Sequence, residues 1–347
     1  MKKINLKSLS RQELDQFIAD IHEKPFRADQ IWSWIYQKNV ISFDGMTNIS
    51  RPLRATLERI AFIRSLKLIK KTISSISKTE KFLWRLEDGL LIESVYIPEG
   101  KRRTVCISSQ VGCALKCHFC ATGTMGFIRN LEVEEITDQI LSISREVGQK
   151  PTNIVVMGMG EPLLNVDNVM KALYILNQSD GMAIGHRKIT ISTAGIIPQL
   201  IRYTNEAHPF KLAISLNATT DSQRTRLMPI NKTYPLSELL QTARLYTQKT
   251  KKRITFEYVL IKGINDTQAD AHRLLRLLKG IPCKVNLIAY NPTSGLFEPP
   301  DDTTIHRFAE TIRPLCAPVT MRLSKGDDIH AACGQLAVPR HQTKKPH

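Results

Sequence analysis

Three cysteines stand close together in GCALKCHFCATG, residues 112–123: Cys113, Cys117 and Cys120, in CxxxCxxC spacing, with an aromatic, Phe119, just before the last. Three thiolates on one short loop can face a single inorganic cluster. Four-iron clusters are usually held by four cysteines. Three leave one iron open, and an open iron can bind a substrate or cofactor. Zinc is the competing reading, but zinc sites pair two CxxC knuckles or add histidines at set spacings, and no second CxxC follows here. His118 lies inside the loop and reads as solvated or as packing, not as a fourth ligand.

The chain has seven cysteines: the three above, Cys106, Cys283, Cys316 and Cys333. An odd number with three in one loop is no disulfide framework. The N-terminus, MKKINLKSLSRQELDQF, is basic but lacks an apolar stretch of signal-peptide type. No run is long enough to cross a bilayer. A reducing cytoplasm is therefore expected, with no membrane partner. Forty-nine Lys and Arg against 32 Asp and Glu give a net charge of +17, which points to a polyanionic partner, most often nucleic acid. Charge alone is equally compatible with a merely basic soluble protein.

The elements that must hold the cysteine loop can be read around it. Residues 1–64 form a small helical unit. Ser10 and Glu13 make a capping box, and Leu14, Phe17, Ile18 and Ile21 share one helical face. A second helix after Pro25 puts Ala28, Ile31, Trp32 and Ile35 on one side, and a third carries Leu53, Leu57 and Ile60. Trp34 and Tyr36 could stack on bases, with packing the plainer use. Residues 65–102 change to a strand period: SLKLIKKTISSIS, KFLWRL and LLIESVYIP, with Asp88-Gly89 supplying a hairpin turn. Residues 103–337 alternate strands with helices. The strands are TVCISS, NIVVMG, KITIST, KLAISL, ITFEYVL and KVNLIAY. Six successive βα units imply a parallel sheet with right-handed crossovers. The fold class is therefore α/β: a partial (β/α)6 TIM-like barrel, with an N-terminal helical accessory domain and an antiparallel β extension. In such barrels chemistry sits at the C-terminal ends of the strands. The cysteine loop, GMGEP, STAG, SLNATT and the Asn291-Pro292 pair all fall there. Residues 338–347 read as a basic tail.

CxxxCxΦC, with Φ aromatic, is the signature of radical S-adenosylmethionine (SAM) enzymes. The flanking TVCISSQVGCALKCHFCATGTMGFIRNL resembles one branch, the RNA adenine methyltransferases of the RlmN/Cfr family. VVMGMGEPLLN, ITISTAGIIP, LMPIN, VNLIAYNP and GDDIHAACGQL occur in that family's order across nearly the whole chain. The resemblance implies a 4Fe–4S cluster on Cys113, Cys117 and Cys120, and two molecules of SAM per turnover. By position it assigns SAM contacts to Gly160, Glu161, Ser192, Ser215, Leu216, Asn217 and Asn291. Asn217 departs from the histidine the family commonly has there, so its contact runs through backbone or amide.

The resemblance also implies how an electrophilic adenine carbon gains a methyl group. Cys333, in AACGQL, corresponds to the cysteine that carries the methyl, and Cys106, in TVCISS, to the thiol that later attacks it and forms a disulfide. Glu93 corresponds to the proposed general base. Cys283 and Cys316 match no motif and read as structural. Asp327 and Asp328 could contact substrate or cap the helix that follows, capping being the plainer use. The expected reaction is methylation of adenosine carbon 2 in 23S ribosomal RNA and in tRNA, by a monomer drawing electrons from a reductant such as flavodoxin. The alternatives are carbon 8 methylation of Cfr type, a different radical SAM enzyme such as a glycyl-radical activator, and a non-catalytic iron–sulfur RNA-binding protein. Lys70-Lys71 and Lys101-Arg102-Arg103 are the densest basic stretches between 51 and 103 and read as an RNA-facing surface, with a solvated face as the bland alternative.

Overall fold

The computed structural model describes residues 3–63, 65–293, 295–314, 319–322 and 324–338. Cys316 and nearly all of the expected basic tail lie outside the described residues. The N-terminal unit follows the apolar periodicity. α1 (Arg11–Asp20) starts at the Ser10–Glu13 capping box and buries Leu14, Phe17 and Ile18. α2 (Phe26–Tyr36) buries Ile31, Trp32 and Ile35, and α3 (Arg51–Ile60) buries Leu53 and Leu57. Two short strands, β1 (Ile4–Asn5) and β2 (Ala61–Phe62), pair in parallel and close this unit on itself. Tyr36 is buried, with its hydroxyl on the Lys7 carbonyl. Trp34 donates to Asn48 and lies under the Lys38 ammonium. Packing is therefore the use both rings find.

One ten-stranded sheet runs through the rest. Its antiparallel part is β3 (Lys67–Ile73), β4 (Glu80–Arg85) and β5 (Leu91–Glu99), which joins β6 (Arg102–Ile107). The parallel part continues from β6 to β9 (Asn153–Val156), β10 (Ile189–Thr193), β11 (Lys211–Ser215), β12 (Ile254–Leu260) and β13 (Cys283–Ala289). These strands are rich in Ile and Val and are buried almost throughout, as a sheet covered on both faces requires. A small hairpin, β7 (Gln110–Gly112) with β8 (Phe127–Asn130), brackets the cysteine loop.

A seventh parallel strand, β14 (Val319–Arg322), lies beyond the six expected and pairs with β13. It is four residues long, and Thr320 and Met321 are exposed. An edge strand needs no apolar run, so nothing in its sequence marks it. Among the described residues β14 and β3 are the two edges of the sheet, so the barrel stays open. The helices of the βα units are α5 (Val133–Val147), α6 (Val166–Asn177), α7 (Ile197–Asn205), α9 (Leu236–Thr250), α10 (Gln268–Leu278) and α11 (Asp302–Ile312), each with an apolar stripe on the sheet. No helix among the described residues is long and apolar enough to cross a membrane.

The helical unit is fastened to the barrel by a buried ion pair. Lys7, fully buried, pairs with Asp138 on α5. The other oxygen of Asp138 accepts from the Leu66 N–H and the Ser142 hydroxyl. Burial lowers the Lys7 pKa, and Asp138 opposes that shift. Removing one partner leaves a buried charge uncompensated. Asp138→Ala is therefore expected to cost about 3–5 kcal/mol, read as a loss of unfolding free energy in urea.

Candidate active site

The cysteine loop leaves β7 and returns through α4 (Ala121–Met125), which begins directly after Cys120. Its fold is compact. The Cys113 N–H donates to the Gly126 carbonyl, and the Cys120 N–H to the Cys117 carbonyl. A Cβ at Gly123 would lie 2.8 Å from the Cys117 carbonyl oxygen, so only glycine lets α4 pass this close. His118 is exposed, and its N–H donates to the Leu227 carbonyl.

Burial pushes the Cys113 thiol up to about 12. Cys117 is pushed well above its ordinary value, first by burial and then by the charges of Cys120 and Cys113. Burial raises Cys120 too, against the N–H groups of Gly123 and Thr122. Three buried thiols that oppose one another's ionisation need positive charge among them to become thiolates, and a metal centre supplies it. Among the described residues no three Cys, His, Asp or Glu side chains are arranged to hold one metal ion. The all-sulfur donor set fits a larger iron–sulfur group better than a mononuclear site.

The strand-end residues surround this loop. Gly160 has φ +98°, and a Cβ there would come within 2.5 Å of the Gln110 side chain. Glu161 is buried, and its two oxygens accept from the Leu163 and Ala194 N–H groups at 3.0 and 2.8 Å. Burial raises its pKa against those bonds. Its charge reaches both Cys113 and Cys117. Ser192 donates to Glu257 at 2.7 Å. Leu216 is fully buried, and its N–H meets the Glu257 carbonyl at 2.9 Å. Ser215 is half-buried and accepts at its carbonyl from Arg224 at 3.4 Å. Asn217 adopts φ +58°. Its carboxamide oxygen takes the Val259 N–H at 2.9 Å and its amide faces the Met228 sulfur at 3.4 Å. The Asn217 side chain is thus committed to the fold, and its backbone carbonyl accepts from the Asn265 amide at 2.8 Å.

Cys106, on β6, and Cys333, near the other end of the chain, face the same space. Both thiols line one cleft with Cys120, Thr122, Gly158 and Asn291, around about 650 Å³ of space that opens to solvent. Cys106 is buried and Cys333 half-buried. The charge of Cys333 reaches Cys120. Asn291 donates to the Cys333 carbonyl at 3.2 Å. Glu93 lies just outside this lining. It pairs with Lys81 at 3.1 Å and accepts from the Ala337 N–H at 3.0 Å. Burial raises its carboxyl above the ordinary value, and Lys81 pulls it back. Cys283 is buried on β13, away from the cleft lining.

One sequence reading needs correction, and the placement of the basic stretches can be stated. Asp327 and Asp328 do not cap the helix. They lie inside a single 3-10 turn whose N-cap, Gly326, has no side chain to offer. Lys101, Arg102 and Arg103 stand where β5 turns into β6, at the N-terminal end of β6, while the cysteine loop follows its C-terminal end. Lys70 pairs with Leu83, which pairs with Glu93, so the exposed Lys70 is level with Glu93. Lys67 and Arg85 form the next exposed pair on that strand edge.

Arg224 was not legible in the sequence. It is fully buried on α8 (Asp221–Leu227), with no carboxylate at ion-pair distance among the described residues. It donates to the carbonyls of Leu216, Ala194 and Ser215 and to the Asn231 carboxamide oxygen. Burial lowers its pKa to about 10, against the charge of Cys117. It thereby ties the ends of β10 and β11 together beside the cysteine loop. An arginine on a short polar helix reads as a solvated cation, so no sequence signal marks this one.

Comparison with known proteins covers the whole molecule. Residues 4–63 match the model described as ribosomal RNA large subunit methyltransferase N-terminal domain, and residues 107–275 match the radical SAM superfamily. The chain is 47% identical over 342 residues to a dual-specificity RNA methyltransferase RlmN from Anaeromyxobacter sp. (strain Fw109-5), covering 96% of this chain and 90% of the relative. It is also 47% identical over 336 residues to a probable dual-specificity RNA methyltransferase RlmN from Thermotoga neapolitana, covering 97% and 98%. The crystal structure of a radical SAM methyltransferase from Sphaerobacter thermophilus superposes with a TM-score of 0.92 at 42% identity, covering 96% of this chain and 99% of that one.

Arg224 yields a prediction separate from activity. Arg224→Met leaves buried carbonyls without a donor and should lower unfolding free energy by on the order of 3 kcal/mol. Denaturant titration of the cluster-free protein checks this.

Proposed function

The chain belongs to the RlmN family of radical SAM RNA methyltransferases, and from that premise we propose that it methylates carbon 2 of an adenosine in 23S ribosomal RNA and in tRNA, with Cys333 as methyl carrier. The observation that carries this reading is the shared cleft: Cys333 and Cys106 face the same space as Cys120 and Asn291. An enzyme that only cleaved SAM would need no thiol pair beside the thiol triad. When bound, the 4Fe–4S cluster and SAM supply a methyl group and a hydrogen-abstracting radical.

The residues of the chain do the rest. Cys113, Cys117 and Cys120 hold the cluster. Gly160, Glu161, Ser192, Ser215, Leu216, Asn217 and Asn291 form the rim at which SAM binds, Gly160 by close backbone approach and Asn217 by its backbone. Cys333 takes the methyl on its sulfur. Once that methyl has lost a hydrogen atom, its carbon bonds to the adenine and joins RNA to protein, and the odd electron left on this adduct would return to the cluster that the three cysteines hold. Glu93, whose raised pKa favours taking up a proton, serves as the base for the adenine C–H. The Cys106 thiolate then attacks the Cys333 sulfur. The sulfur–carbon bond breaks as the sulfur–sulfur bond forms, its electron pair stays with the adenine-bound carbon, which takes up a proton to become the methyl group, and a reductant must return the disulfide to two thiols.

Three measurements test the reading. Nucleosides from RNA treated with the protein should contain 2-methyladenosine by mass spectrometry; 8-methyladenosine in its place would overturn the carbon 2 assignment. Cys106→Ala should accumulate RNA bound covalently through Cys333 on denaturing gels, and Cys333→Ala should give neither adduct nor methylated RNA. Turnover by Cys333→Ala would end the carrier mechanism. Finally, phosphate contacts make RNA binding depend on charge and salt. Charge reversal at Lys67, Lys70 and Arg85 should weaken RNA affinity by about tenfold or more, and by more than reversal at Lys101 and Arg102. Equal effects would remove the edge of β3 and β4 as the RNA-facing surface.

A further inference from the structure

The segment that carries Cys333 is gripped at both ends by one ion pair, between a buried carboxylate and a half-buried ammonium. Lys81 on β4 and Glu93 on β5 lie on the same face of the sheet: Lys81 pairs with Val95 and Glu93 with Leu83, so the two are diagonal neighbours. The Lys81 ammonium meets Glu93 Oε1 at 3.1 Å and also donates to the His330 carbonyl at 3.1 Å. Glu93 Oε2 accepts from the Ala337 N–H at 3.0 Å. Cys333 lies between these two anchor points. Among the described residues, the bonds that the segment makes between them to the rest of the chain are neutral: Ala331 to Gly326, Gly334 to Ala121, Leu336 to Thr122, the Cys333 carbonyl to Asn291, and Gln335 to Pro292. The anchors at His330 and Ala337 are charge-assisted, and such bonds are roughly twice as strong as neutral ones. Side-chain exposure is 16% for Lys81 and 7% for Glu93, so solvent screens the pair less than it screens a surface pair.

We propose that Lys81 is a positioning residue: together with Glu93 it clamps the segment 330–337 and holds the Cys333 sulfur in the cleft beside Cys120. The functional part rests on the reading of Cys333 as methyl carrier. Both Glu93 oxygens are occupied while the segment is docked. Release of the Ala337 N–H therefore frees an oxygen for proton uptake in the same movement that frees the carrier. A neutral residue at position 81 removes the anchor at His330 and leaves the Glu93 carboxylate buried without its counter-ion. The segment should then loosen while β3 to β6 stay paired.

The test uses the full-length, cluster-loaded protein. Hydrogen–deuterium exchange is followed in peptides covering 330–338, and the methylated fraction of Cys333 is read by peptide mass spectrometry. Lys81→Met should speed exchange across this segment about tenfold, leave the peptides of β3 to β6 protected, and lower Cys333 methylation at least fivefold at unchanged iron content. Lys81→Arg, which restores a cation, should recover both readouts. Glu93→Gln should reproduce the faster exchange and provides a second route should Lys81→Met fail to fold. Unchanged exchange in the segment would overturn the clamp, as would an equal rise throughout β3 to β6. Faster exchange with undiminished methylation would overturn the positioning role. A wild-type protein that never shows methyl on Cys333 would instead remove the carrier reading, and exchange alone would then decide the clamp.

Discussion

The architecture depends on a junction between two stretches that are far apart in the chain. The Ala121 N–H donates to the Gly334 carbonyl at 2.7 Å, and the Thr122 hydroxyl donates to the Leu336 carbonyl at 2.6 Å across 214 positions. These bonds seat the C-terminal segment on the loop that carries the three cysteines. Without them the Cys333 segment would lose its direct ties to the loop of Cys120 and keep only its bonds to Lys81, Glu93 and the end of β13. All the parallel strands except β6 lie between the two partners in the chain, so the junction joins residues that only the assembled sheet brings together. Chemistry that needs two distinct groups of thiols is thereby made conditional on complete folding.

The open sheet provides the space for this junction. A closed eight-stranded barrel would fill its own interior with side chains. Here the parallel strands run from β6 to β14 without closing, and antiparallel strands extend the sheet beyond β6. That extension brings Lys81 and Glu93 level with Cys106, through the register of β4 on β5 and β5 on β6. The C-terminal segment then lies across the cleft, held from the antiparallel side by charge and from the cysteine loop by backbone. Buried polar groups elsewhere around the site follow the same economy. Glu161, Asn217 and Arg224 each spend their side chains on backbone groups of neighbouring strand ends, which keeps those ends rigid where a ligand must meet them.

Much of this was legible in the residues. CxxxCxxC spacing is local, so one loop can present its thiols whatever surrounds it. The capping box at Ser10, the apolar faces of α1 to α3 and the β-branched runs of β6 and β9 to β13 are also local, since helix and strand periods act over a few residues. The alternation of strand and helix, with its handedness, limited the topology to an open parallel barrel. The family motifs brought Cys106 and Cys333 into one reading before any geometry was known.

Tertiary structure decided what depends on distant partners. Strand β14 has no apolar pattern because an edge needs none, and only pairing with β13 defines it. The basic residues 101–103 are dense in sequence, but strand direction places them at the end of β6 opposite the cysteine loop, while scattered Lys67, Lys70 and Arg85 gather at the near end. Asn217 is read from its motif as a ligand residue, yet its left-handed backbone and the Val259 N–H engage its side chain. Arg224 and Lys81 carry no signature, because a charged residue becomes structural only when burial removes water and distant carbonyls or a carboxylate replace it. Local chemistry is written in residue type and spacing. The use of a charge is settled by the partners that folding brings within hydrogen-bond reach.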